Sequence, residues 1–150
     1  MSWASSGPAA MAALAATFKT IPLNGEVRDG PEVGDSAAWE VITVGYVGPD
    51  DDTAVEASST PGGLGMRERE QYTVNCAVAV VNGDEDIRAA RQRAFDLLAQ
   101  CGLRLAADPK LAGSVMKAEI SSWSLREDMA TGGAHARLRF GVGIDAFTSA

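Results

Sequence analysis

From Arg69 to Val81 the sequence alternates without a break: Tyr72, Val74, Cys76, Val78 and Val80 form one set, and Gln71, Thr73, Asn75 and Ala77 the other. A sustained period of two describes a strand with one apolar face. Beyond Asn82-Gly83-Asp84-Glu85-Asp86 the period changes. Ile87, Ala90, Ala94, Leu97, Leu98 and Cys101 recur at threes and fours, opposite Arg88, Gln92 and Asp96. That stripe predicts a helix from Glu85 to about Ala106, with Asn82 or Asp84 as its cap and carboxylates at its positive end. A strand with one apolar face, followed at once by a helix with one apolar stripe, buries both by laying the helix on the sheet.

The remaining segments extend that arrangement. Asp108-Pro109 ends the helix, and Val115 to Leu125 reads as a strand with Met116, Ala118 and Ile120 on one face and Lys117, Glu119 and Ser121 on the other. Glu127 to Gly133 reads as a turn. Ala136 to Phe147 alternates again, with Leu138, Phe140, Val142, Ile144 and Ala146 against Arg137, Arg139, Gly141, Gly143 and Asp145. A connection of about seven residues joins these two strands as an antiparallel hairpin, because a parallel crossover needs roughly a dozen.

Upstream, Ser5-Ser6-Gly7-Pro8 followed by Met11, Leu14 and Phe18 predicts a helix from Pro8 to Lys19. Glu26 to Pro31 is a short extended piece ending in an Asp-Gly-Pro turn. Trp39 to Val47 is apolar in both alternating sets, as expected of a strand buried on both faces. Gly48 to Gly65, with Asp50-Asp51-Asp52 and Ser58-Ser59-Thr60-Pro61-Gly62-Gly63, reads as a long loop, or as a hairpin arm in which Thr53 to Ser59 forms a strand. The expected fold is α+β: one domain over residues 1–150 with a flexible 1–7. A mostly antiparallel sheet of about five strands is flanked by two helices, in the order α-β-β-β-α-β-β.

Composition narrows function more than fold. With 13 Lys+Arg against 20 Asp+Glu, the formal net charge of −7 disfavours sequence-independent nucleic-acid binding, which needs basic residues to neutralise phosphates. Met1 to Thr20 lacks the basic start of a signal peptide, and no run approaches the roughly 20 apolar residues that span a bilayer. The expectation is a soluble protein of a reducing cytoplasm, with Cys76 and Cys101 as buried thiols.

Chemistry-bearing patterns are missing from the text. Gly62-Gly63-Leu64-Gly65 neither follows a clear strand nor opens a helix, so it fits no phosphate-binding loop. Asp50-Asp51-Asp52 lacks the alternation and the distant Glu of a calcium loop. Ser36, Ser58 and Ser114 lie in no nucleophile elbow, and His135, the only imidazole, has no spaced metal-ligand partners. Glu119 and Asp145 could be imagined as an acid–base pair but read as the solvent face of a sheet. No catalytic, cofactor or metal residues are expected. A small monomeric α+β enzyme or ligand-binding domain is the rival reading, and it would need a pocket of convergent polar groups.

Four stretches carry a family likeness: VRDGPEV (Val27 to Val33) leading into WEVITVGYVG (Trp39 to Gly48); REREQYTVNCAVAVVNGDEDIRAARQRAFDLL (Arg67 to Leu98); DPKLAGSVMKAEISSWSL (Asp108 to Leu125); and GGAHARLRFGVGIDAFT (Gly132 to Thr148). In these the chain resembles the tail terminator proteins of long-tailed bacteriophages, also called minor tail or tail completion proteins. It departs from their pattern at Leu111-Ala112-Gly113-Ser114, with one Gly where two are common. Head-completion and adaptor-associated neck proteins share the same size and texture. The resemblance implies a virion protein of the tail and neck, assembled in the host cytoplasm. It would form a homohexameric ring that caps the tail-tube protein, stops its polymerisation and docks the head–neck protein. DNA would pass through the acidic lumen without specific binding, and no membrane or cofactor is involved. Heterologous head-to-tail contacts close such a ring. The expected contact residues are the loop Pro49 to Met66 with Asp50, Asp51 and Asp52; its charged flank Arg67, Glu68, Arg69 and Glu70; Arg137 and Arg139 on the last strand; and Trp3 as an anchor. Trp39 and Trp123 are expected in core or sheet-edge packing.

Overall fold

The computed structural model describes residues 4–30, 39–46, 53–60, 68–130 and 132–148. Among them the chain runs α1 (Gly7–Phe18), β1 (Gly25–Asp29), β2 (Glu40–Val44), β3 (Val55–Thr60), β4 (Arg69–Asn82), α2 (Ile87–Ala107), β5 (Lys117–Ala130) and β6 (Gly133–Phe147). The class is α+β: one mixed, mostly antiparallel sheet with two helices.

The strand order is β1-β2-β4-β6-β5, with only β1 and β2 parallel. β4 is the spine. One of its edges pairs along its whole length with β6, from Arg69↔Phe147 to Asn82↔Ala134. Its other edge is shared end to end, β3 taking Arg69 to Val74 and β2 taking Cys76 to Val80. β3 therefore adds a strand to the expected order, on the stretch that reads either as a loop or as a hairpin arm with Thr53 to Ser59 as a strand. The ladder to β4 supplies the partners that its own composition does not.

Both helices lie on one face of the sheet. Tyr72, Val74, Cys76, Val78 and Val80 of β4 stand opposite Ile144, Val142, Phe140, Leu138 and Ala136 of β6, and all are buried. Onto this floor α2 lays Ala90, Ala94, Leu97, Leu98, Cys101 and Leu105, and α1 lays Ala10, Leu14 and Phe18. Phe18 meets Phe140 edge-on, with ring centroids 6.2 Å apart. Burying each large aliphatic of this layer contributes about 1.5–3 kcal/mol. β2 is buried at all five positions, as a strand apolar in both sets should be.

Two local expectations need correction. The turn foreseen over Glu127 to Gly133 is much shorter, because β5 continues to Ala130 and β6 begins at Gly133. The charged Arg126, Glu127 and Asp128 stand in the ladder opposite Arg137, Ala136 and His135; polar residues suit an edge strand, where one side is solvated. The cap of α2 is Asp86, whose carboxylate accepts from Ala89 N at 3.0 Å, and neither Asn82 nor Asp84. Asn82 acts one step earlier, its Oδ1 accepting from Asp84 N at 2.9 Å and so shaping the turn that delivers Asp86.

Candidate interaction surfaces

The sheet face away from the helices carries most of the polar side chains. Here the N-terminal half of β4, β6 and β5 form a groove of about 640 Å³, walled by Glu56 and Ser58 of β3 on one side and Lys117 and Glu119 of β5 on the other. Its floor is low because Gly143 sits between Thr73 and Glu119 in the cross-strand row. Arg69 clamps Asp145 at the rim through two hydrogen bonds, 3.0 Å from Nε and 2.6 Å from Nη2. The Arg69 guanidinium holds the Asp145 carboxyl below the usual carboxylate range. Lys117 meets Glu119 at 3.3 Å. Glu119 and Asp145 are thus each engaged with a cation at the groove.

The charged flank ahead of β4 divides. Glu68 ties the two chain segments at this corner: its N–H donates to Thr148 Oγ1 at 3.2 Å, and its carbonyl accepts from Thr148 N at 2.9 Å. Arg69 points to the groove. Glu70 turns the other way, under α1, and is only 2% exposed. Its Oε1 accepts from Ser6 N and Ser6 Oγ, each at 2.6 Å, and its Oε2 from Ser5 Oγ at 2.9 Å. Burial pushes the Glu70 carboxyl up, and the hydrogen bonds from Ser6 and Ser5 outweigh it, so the group lies below its ordinary value. A carboxylate at a helix N-terminus also meets the positive end of the helix dipole. Glu70 is therefore removed from the exposed contact flank; it anchors α1. Asp50, Asp51, Asp52, Arg67 and Trp3 lie outside the described residues.

Arg137 and Arg139 stand on the groove face of β6, further along toward β2. Arg137 donates from Nη1 to Tyr46 OH at 3.1 Å, with its guanidinium carbon 5.5 Å from the centre of the Tyr46 ring. Arg139 stands opposite Ala77 and Ser124. His135 is half-buried at the start of β6, and among the described residues its Nε2 has no hydrogen-bond partner. No group of three or more His, Cys, Asp or Glu among the described residues is placed to hold a metal. Burial pushes the Cys76 thiol far up and the Cys101 thiol up to about 12, which disfavours the thiolate form of both.

On the helix side of the sheet, the apolar surface that remains open gathers along β5. Trp123 is 57% exposed and packs edge-on against Phe95 of α2, centroids 5.2 Å apart. Beside it Arg91 clasps Glu127 through Nε at 2.6 Å and Nη2 at 2.8 Å. The outer edge of β5 and the charges along it were not among the expected contact residues. Their signal was present in the alternation of Lys117 and Glu119, then of Arg126 and Asp128, along one face.

No protein-family model and no curated protein matches this chain.

Proposed function

We propose that the protein is a structural component of a phage tail: a tail terminator that forms a ring on the end of the tail tube, stops its growth and joins it to the head–neck protein. The observation that carries this reading is the sheet, layered with helices on one face and, among the described residues, left with open edges at β1, β3 and β5. Open edges suit head-to-tail contacts that close a ring. The net charge of −7 per chain, multiplied around a ring, suits a lumen that repels DNA and lets it slide. The resemblance of Val27 to Val33, Arg67 to Leu98 and Gly132 to Thr148 to tail terminators supplies the specific assembly. The groove beside Asp145 is polar, but Asp145 is paired with Arg69 and Glu119 with Lys117, so it offers a contact surface better than a reactive centre.

The test is to add the purified chain to growing tail-tube protein and follow tube length by electron microscopy. The expected result is arrested growth, with six-fold density at tube ends. A mass near 15.6 kDa at every concentration, together with unaltered tube growth, would overturn the reading.

A further inference from the structure

The outer edge of β5 is 14 residues long, and among the described residues no strand pairs with it. A free edge of this length is a template for another strand unless something covers it. The cross-strand register with β6 fixes which way its side chains point. Lys117, Glu119, Ser122, Ser124, Arg126 and Asp128 stand opposite Asp145, Gly143, Gly141, Arg139, Arg137 and His135, on the face away from the helices. Ala118, Ile120, Trp123, Leu125 and Glu127 take the helix face. A bulge between Ile120 and Ser122 removes Ser121 from the alternation. With that residue counted out, Lys117 and Asp128 are equally far from Trp123, and so are Glu119 and Arg126. The charges then read plus, minus, centre, plus, minus.

A strand with that pattern is complementary to itself run backwards. We propose that β5 pairs antiparallel with β5 of a second copy of this chain, about a two-fold axis at Trp123. Each Lys117 then faces the second copy's Asp128, each Glu119 faces its Arg126, and Ile120 faces its Leu125. The two Trp123 rings meet at the axis. Opposite charges directly across a ladder stabilise it and like charges destabilise it. Sliding one strand by two residues sets Lys117 against Arg126, or Glu119 against Asp128, so the charges select one register. Exposed Trp123, backed by Phe95, gives the contact an aromatic centre with a charged rim.

This contact is isologous and closes on two copies, whereas a ring needs a heterologous one, so it stands apart from the ring proposed above. The test is sedimentation of the full chain with Glu119→Lys, with Arg126→Glu, and with both. A dimer is expected for the natural sequence, and each single reversal weakens it by roughly tenfold, since two symmetric contacts turn repulsive. The double reversal restores it. Trp123→Cys is expected to form a disulfide-linked dimer on mild oxidation, and Ser124→Cys much less, with buried Cys76 and Cys101 not competing. A natural chain that stays monomeric at its highest soluble concentration overturns the proposal, as does a dimer indifferent to the single reversals. Equal cross-linking at positions 123 and 124 overturns it too. A six-membered ring that ignores the reversals upholds the ring and removes the β5 contact.

Discussion

Ser6 gives both its backbone N–H and its hydroxyl to one oxygen of Glu70, each at 2.6 Å, across 64 residues of sequence. The same hydroxyl lies 2.8 Å from Tyr72 OH. The entrance of α1 is thus fixed to the first turns of β4 by a buried carboxylate, and the helix has no side-chain cap of its own from Ser6.

Replacing Glu70 by Ala is expected to destabilise the fold by about 2–3 kcal/mol, since charge-assisted hydrogen bonds are lost and their donors stay partly buried. Glu70→Gln should cost less, because one acceptor oxygen remains. Urea denaturation of the two variants checks the order; equal, negligible effects would show that α1 docks without the clasp.

Acid should weaken the fold chiefly through two buried carboxylates, Glu40 and Glu70. Arg93 holds the Glu40 carboxyl below its ordinary 4.5, and Glu70 also lies below 4.5. Carboxyls depressed in the folded state contribute stability that is fully present above 4.5 and is lost as pH falls through their folded values. The melting temperature should therefore hold steady from neutral pH down to about 4.5 and then fall. In Glu70→Gln the acid slope should be shallower.

Arg93→Ala should leave Glu40 without its main partner. Glu40 Oε2 receives Arg93 Nε at 2.6 Å, while Oε1 takes Arg93 Nη2 at 3.1 Å and Asn24 N at 2.7 Å. The expected loss is about 2 kcal/mol, below that of a fully buried pair because the Arg93 side chain is 40% exposed. Thermal unfolding would show it as a drop of roughly 2–4 °C per kcal/mol.

Gly25→Ala tests the parallel edge. A Cβ at Gly25 would lie 1.6 Å from the Glu40 carbonyl oxygen, so β1 must move off β2 to admit it. A loss of roughly 1–3 kcal/mol is expected. Faster amide exchange at Arg28 and Val44, with β4 and β6 unchanged, would place the damage at this edge.

Thiol reagents should not modify Cys76 or Cys101 in the folded protein, as both are fully buried with raised pKa values. Labelling should appear only with global unfolding, at a rate that follows denaturant.

Much of this architecture is written in side-chain period. The alternation of β4 and β6 and the stripe of α2 place the core, because a face buried against helices admits few substitutes. Glu70 shows what parity alone could have revealed: it falls in phase with Tyr72, Val74 and Cys76, and so points inward. The charged residues before it, Arg67, Glu68 and Arg69, concealed that by looking like a solvated flank. β3 is legible only as the alternative to a long loop, a Thr53 to Ser59 strand in a hairpin arm, for another reason. Val55 to Thr60 is polar on the groove face and gains its conformation from the β4 ladder, which no local pattern announces. The β5–β6 turn was read too long because charge was taken for loop, where an edge strand tolerates it.

The divided edge of β4 has a mechanical consequence. β3 and β2 grip the same strand one after the other, while β6 holds its opposite side throughout. A pull on the β3 arm along its axis loads its whole row of hydrogen bonds in shear instead of opening them one by one. The force passes into β4, and from there into the helix-covered half of the sheet, which could not be strained without disturbing its core. An arm attached in this way is a tie-bar, able to bear tension between whatever grasps it and the body of the protein.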